Sequence, residues 1–190
     1  LLDVSQLPEV VELGVYRAED GARHYTDAAL SDGRACVVNA AQANPRLEIL
    51  DVRKPAQPQR LGACALPSGL VCAWVGPHVY VPGVNRGHGP AGLVVVDVSD
   101  PAAPRVARVL PDLVQSACYR VRARNGRLYY TDSMRGIQVA DLRDPLNPVW
   151  LKALTGPTEW SCSYTDFEIR DNRLYGQRYS HLDVWRLDAK

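Results

Sequence analysis

Methionine and phenylalanine are nearly missing from this 190-residue chain, with one of each, while Gly and Pro number 14 apiece. A sequence so poor in flexible and aromatic core fillers and so rich in turn formers reads as many short elements joined by tight turns. That disfavours a helical bundle. No run of about 20 apolar residues occurs, so no helical membrane span is expected. Charge of one sign is lacking too: 22 Lys and Arg stand against 21 Asp and Glu, a net charge of +1, and Arg residues are not clustered. Nucleic acid is therefore not an expected partner. With 46% hydrophobic and 23% charged residues, disorder does not follow either. The five cysteines, at 36, 64, 72, 118 and 162, contain no CxxC pair and read as small buried residues. Their odd number leaves at least one thiol free or paired between molecules. The first residues, Leu1-Leu2-Asp3-Val4, show no initiator Met and no signal-peptide pattern, so any targeting segment is expected outside this sequence.

What the chain does contain is a repeat. Leu47-Glu-Ile-Leu-Asp51-Val52 recurs as Leu93-Val-Val-Val-Asp97-Val98, Ile137-Gln-Val-Ala-Asp141-Leu142 and Leu182-Asp-Val-Trp-Arg186-Leu187, and Leu2-Asp3-Val4 is the tail of a further copy. Asp51, Asp97, Asp141 and Arg186 follow one another at 46, 44 and 45 residues. Three copies run into a double-proline turn, Lys54-Pro55-Ala-Gln-Pro58, Asp100-Pro101-Ala-Ala-Pro104 and Asp144-Pro145-Leu-Asn-Pro148, which ends the strand because proline cannot donate to a ladder. A short apolar strand follows (104 to 109, 148 to 154). After an irregular connection comes an alternating strand such as Thr165-Asp-Phe167-Glu-Ile169-Arg170, then a tight turn at Asp32-Gly33, Asn125-Gly126 or Asp171-Asn172, then a Tyr- and Val-rich strand. Four strands per period of about 45 residues, with no helical periodicity, describe β-propeller blades. Residues 1–190 thus form one run of about four blades with partial blades at both ends. The expected fold is all-β, and a fragment of a larger propeller is favoured over a closed four-bladed ring.

The segment Leu93-Val-Val-Val-Asp97-Val-Ser-Asp-Pro-Ala-Ala-Pro104 resembles the signature of the LVIVD-repeat β-propellers. The resemblance spans the chain and is strongest over residues 93–109 and 137–151. It departs at the copy shortened around Pro8 and at the last copy, where Arg186 replaces the Asp. It implies a bacterial or archaeal protein of an exported or surface-attached kind, hence an extracytoplasmic location, in a family often without assigned activity.

Naming the strands of a blade A to D from the axis outward, with A the alternating strand, puts the A–B and C–D turns on one face and the D–A and B–C connections on the other. The first face repeats itself and the second varies, which is where a rigid scaffold carries function. Aligning the A strands on their turns sets Asp27, Arg120 and Asp166 in one column, with Tyr25, Cys118 and Tyr164 two positions earlier. Two readings stand: a polar ligand pocket at the channel mouth using Asp27, Arg120, Asp166, His24 and Tyr164, or polar side chains lining a wet channel and satisfied by water and neighbouring blades. The glycine-rich B–C loop from Gly83 to Gly92 is no P-loop, because no Gly-Lys-Ser/Thr follows. Arg86 and His88 on it would meet an anion, or the loop is plain surface. Trp160, beside Glu159, is a candidate aromatic anchor, and His181 an outer contact. Trp74, Trp150 and Trp185 read as blade core. His24, His88 and His181 lie on the variable face in different blades, but no HxH or HxxxH spacing supports a metal. Cys118 and Cys162 both precede an A strand, which leaves a disulfide open. No GxSxG or other catalytic signature is present.

The function expected is a non-catalytic propeller scaffold, without cofactor, metal or catalytic residues, that binds a protein, glycan or small ligand on its variable face. Balanced charge in the column suits a zwitterionic or hydroxylated ligand. The rival is the substrate-binding or catalytic propeller of a metal-assisted hydrolase or an oxidoreductase.

Overall fold

The computed structural model describes residues 2–3, 11–18, 24–41, 44–83, 92–156, 163–178 and 181–187. All regular structure among them is strand. A two-stranded pair, β1 (Leu2–Asp3) with β2 (Val11–Glu12), comes first. Blade 1 is β3 (Tyr25–Ser31), β4 (Arg34–Asn39), β5 (Arg46–Asp51) and β6 (Gln59–Ala65). Blade 2 is β7 (Ala73–Val75), β8 (His78–Gly83), β9 (Gly92–Asp97) and β10 (Arg105–Leu110). Blade 3 is β11 (Val121–Arg124), β12 (Arg127–Asp132), β13 (Gly136–Asp141) and β14 (Val149–Leu154). Blade 4 is β15 (Asp166–Arg170), β16 (Arg173–Arg178) and β17 (His181–Arg186). Each blade is an antiparallel meander in chain order.

The repeat motif is apolar at successive positions because strand C is buried on both faces. Leu93 and Val95 belong to the core shared with blade 3, among Val121, Leu128 and Tyr130. Val94 and Val96 belong to the core shared with blade 1, among Cys36, Val38, Leu47 and Ile49. A third core joins Tyr129, Ile137 and Val139 of blade 3 to Phe167, Ile169 and Leu174 of blade 4. Odd positions of the strand C motif therefore face the following blade and even ones the preceding blade, and each buried Val or Leu stabilises by about 1.5–3 kcal/mol.

The A–B turns have the predicted chemistry. Asp32 and Gly33 (φ 48° and 70°), Asn125 and Gly126 (50° and 69°) and Asp171 and Asn172 (47° and 58°) are left-handed at both central residues. This twist matches the flanking strands. In the C–D turns, Asp51, Asp97 and Asp141 each accept the backbone N–H two residues on, from Arg53, Ser99 and Arg143, at 3.0, 3.0 and 2.8 Å. Close packing of these turns is visible at Gly62 of β6, where a Cβ would lie 2.6 Å from the carbonyl oxygens of Pro101 and Ala102. Gly14 relates to the Pro55–Ala56 turn in the same way, at 2.0 Å from the Pro55 oxygen, so residues 13–18 lie against blade 1 as an outer strand lies against the next blade.

Two expectations are corrected. Trp150 is not blade core: it is 49% exposed on β14, its Nε1 donating to Gln138 Oε1 at 2.9 Å, whereas Trp74 and Trp185 are partly buried against their cores. The outer strands, read as short apolar strands, are instead largely exposed and irregular. Each of β6, β10 and β14 carries a register shift at the same place, at Leu61, Ala107 and Leu151. Bulges of this kind twist an edge strand away from unwanted pairing.

Candidate functional site

Strand pairing puts the polar column at one level of the A strands. Asp27 lies opposite Val38 and Asp166 opposite Gln177, while Arg120 O accepts the N–H of Thr131 at 3.0 Å. Val38, Thr131 and Gln177 are each the penultimate residue of strand B. The column's side chains serve two different blade junctions. Asp27 Oδ2 accepts the backbone N–H of Cys72 at 2.9 Å, fixing the entry of blade 2 against blade 1. Arg120 crosses from blade 3 to blade 4, its Nε 2.8 Å from Asp166 Oδ1 and an Nη 4.0 Å from Glu168 Oε2. The Arg120 Nε–H is not aligned on an acceptor, so the 2.8 Å approach is an ion pair rather than a directed hydrogen bond. Asp166 and Glu168 are more than half exposed and Arg120 partly so, which leaves this cross-blade pair open to solvent.

Tyr164 is closed off from solvent. It is fully buried, donates to Asp183 Oδ2 at 2.6 Å, packs edge-on against Trp185, and lies under the Arg178 guanidinium, 5.9 Å from the ring centre. Arg178 Nε is 2.8 Å from the same Asp183 oxygen. Blade 1 repeats the tyrosine and the acid at equivalent positions, with an arginine supplied by strand C where blade 4 uses strand B. Buried Glu48 takes Arg46 Nε at 2.6 Å, Tyr25 OH at 3.2 Å and, from the segment lying on blade 1, Tyr16 OH at 2.8 Å. Burial first, and then the Glu48 carboxylate, push the Tyr16 hydroxyl upward and keep it a donor. Sequence reading missed Glu48 and Asp183. The available signal was a charged residue at the second position of a motif that carries Val94 in blade 2.

The B–C turn of blade 3 is closed around a second buried acid. Asp132 accepts from Ser116 Oγ, from the backbone N–H of Met134 and Arg135 at 3.1 and 3.0 Å, and from Arg135 Nε and Nη at 3.0 and 2.9 Å. Burial alone would raise its pKa, but the bonds from Ser116, Arg135 and Met134 outweigh it and hold the carboxyl below the ordinary Asp value. This clasp pins the variable-face loop of blade 3 to residues 113–116, since Arg135 also donates to Leu113 O at 3.0 Å.

His24 is exposed just before β3, its carbonyl accepting Ala40 N–H at 2.9 Å, and His181 is exposed at the head of β17 opposite Arg178. Arg86, His88 and Trp160 lie outside the described residues, as do Glu159 and Cys162. Cys118 is buried and free, and burial pushes its thiol up to about 12. Among the described residues no three His, Cys, Asp or Glu side chains are grouped to hold a metal, and His88 of the three-histidine set is not among them.

No family model matches the chain, and no curated protein matches it significantly. Among solved structures, the fold is similar to the computationally designed Ika4 protein, with a TM-score of 0.63 and 17% identity over 94% of this chain and 99% of that one. It is similar to BamB from Moraxella catarrhalis, with a TM-score of 0.58 and 12% identity over 84% of this chain. It is also similar to the glutaminyl cyclase of Myxococcus xanthus, with a TM-score of 0.52 and 15% identity over 87% of this chain. The match spans 43% of the BamB chain and 66% of the cyclase. Identities this low show the fold alone, and that fold is an all-β propeller of four blades.

Proposed function

We propose that this chain is a non-catalytic propeller scaffold that binds its ligand on the variable face, at the channel mouth around Arg120 and Asp166. His24 is a further contact of the pocket, and His181, Arg86, His88 and Trp160 are its proposed outer contacts. The observation that carries this reading is the cross-blade Arg120–Asp166 pair. The equivalent Asp27 is held across the junction by a blade 2 backbone N–H, and Asp51, Asp97 and Asp141 of the opposite face are bonded inside their own turns, whereas Asp166, whose Oδ1 also takes the adjacent Phe167 N–H at 2.8 Å, stays half exposed beside a partly exposed Arg120, so charges of both signs meet at one level of the A strands. Such a pair suits a zwitterionic or hydroxylated ligand. Tyr164 acts beneath it, holding Asp183.

The LVIVD-like segment from Leu93 to Pro104 supports membership of that repeat family and an exported bacterial protein. No helix among the described residues is long and apolar enough to cross a membrane. The exposed face of blade 4 supports a larger ring.

A thermal-shift screen of free amino acids, betaines and mono- and disaccharides tests the site. At least one compound should raise the Tm of the parent protein and fail to do so for Arg120→Ala and Asp166→Ala, while Asp97→Ala on the opposite face keeps the response. Equal responses in all three variants would remove the site. Stoichiometric metal in the purified protein, measured by mass spectrometry, would replace the scaffold with the metal-assisted hydrolase.

A further inference from the structure

The five cysteines carry no spacing motif and left only a Cys118–Cys162 pairing open in the sequence, yet the fold brings two others together. Cys36 sits on strand B of blade 1 and Cys72 immediately before strand A of blade 2, 36 residues apart, with their sulfurs 3.6 Å from each other. Both are free and buried in the core between the two blades, among Val38, Ile49, Val79 and Val81. The backbone on the Cys72 side is held by Asp27, whose carboxylate takes the Cys72 N–H, so the two strands are clamped together beside the sulfur pair.

We propose that Cys36 and Cys72 form a disulfide that locks blade 1 to blade 2 when the protein folds in an oxidising compartment. A bond of ~2.05 Å requires the two sulfurs to close by about 1.5 Å, a shift that two side chains share by small rotations. The step is an exchange with a small-molecule disulfide such as oxidised glutathione. One cysteine, as thiolate, attacks the reagent and releases one thiolate. The second cysteine attacks the resulting mixed disulfide and releases another. Two protein thiols are oxidised, one reagent disulfide is reduced to two thiols, and the cysteine protons pass to solvent or to the departing thiolates.

The reaction belongs to folding, before blade 2 seals the junction. In the folded protein both sulfurs are shielded, and the hydrogen bond that the Cys72 thiol shares with Cys36, together with burial, raises it well above its ordinary value. The other two cysteines among the described residues are placed differently. Cys64 is half-buried on the outer strand, and Cys118 lies in the next junction beside Thr131. Closing the loop between residues 36 and 72 restricts the unfolded chain, so the link should raise Tm.

The test is to refold the full chain from guanidinium in glutathione redox buffer, then count thiols with Ellman's reagent under denaturing conditions and weigh the alkylated protein. Two of the five thiols should disappear, and Tm should exceed that of the reduced protein. Cys64→Ala should keep both effects. Cys36→Ala and Cys72→Ala, once their folding is checked by circular dichroism, should lose both. Five free thiols after oxidative refolding, or a disulfide that survives in Cys72→Ala, would overturn the assignment. Because the alanine variants remove less than a side chain's volume from the core, reduced wild type serves as the reference should either fold poorly.

Discussion

Asp97 and Asp132 are both hydrogen-bonded acids, but they do different work. Asp97 takes the Ser99 hydroxyl and N–H and is held below the ordinary carboxylate range by them, in a turn that water reaches. Asp97→Ala should cost ~0.5–1 kcal/mol in urea denaturation and leave ligand response intact, because water replaces part of what is lost. Asp132 is shut away from water, so Asp132→Ala leaves Arg135 and two backbone N–H groups without their acceptor and should cost roughly 2–4 kcal/mol. Its folded pKa is depressed, so its contribution is fully present above the unfolded value of ~3.9 and disappears as pH falls through the lower folded value. Acid titration of stability should therefore show a drop below about pH 4 in the parent that is smaller in Asp132→Asn. Arg120→Ala, by contrast, removes a half-exposed pair and should change stability by less than ~1 kcal/mol, which separates a binding role from a structural one.

At the scale of elements, the hairpins were legible and the outer strands were not. Asn125-Gly126 and Asp32-Gly33 announce their turns because those residues accept positive φ locally, without reference to anything distant. The bulges at Leu61, Ala107 and Leu151 carry no residue signature, since they answer to how one outer strand must twist to pass the next blade's turn. Two glycines separate these causes. Gly126→Ala meets nothing within 4 Å and pays only for its φ of 69°, roughly 1 kcal/mol. Gly62→Ala has ordinary backbone but drives a methyl into two carbonyl oxygens, and should cost roughly 2 kcal/mol or more. Chemical denaturation of both variants ranks them, and the reverse order would mean the blade-to-turn contact is looser than 2.6 Å implies.

For the whole molecule, the blade interface is written four times and occupied three times among the described residues. Leu47 and Ile49, Leu93 and Val95, and Ile137 and Val139 are all buried against the following blade, whereas their equivalents Leu182 and Val184 are 63% and 51% exposed. At the opposite end, Leu30 is 67% exposed although its equivalent Ile169 is buried. Val95→Asp should therefore unfold the chain, placing a charge between two sheets, while Val184→Asp should stay within about 0.5 kcal/mol of the parent. If Val184→Asp proves as damaging as Val95→Asp, the face of blade 4 is covered.

The sequence by itself determined the repeat, the strand order within a blade, the turn types and the shared level of Asp27, Arg120 and Asp166, because each depends on residues close in the chain or one period apart. Tertiary structure alone decided that Asp27 holds a backbone amide while Arg120 reaches an acid, that Tyr164 is buried with Asp183, and that Cys36 meets Cys72. Apart from the Tyr164–Asp183 bond, which lies within blade 4, these depend on which neighbour a side chain finds across a blade junction. A 45-residue period gives the order of the blades but not the rotation of one sheet on the next, which is set by how the side chains of both faces pack together.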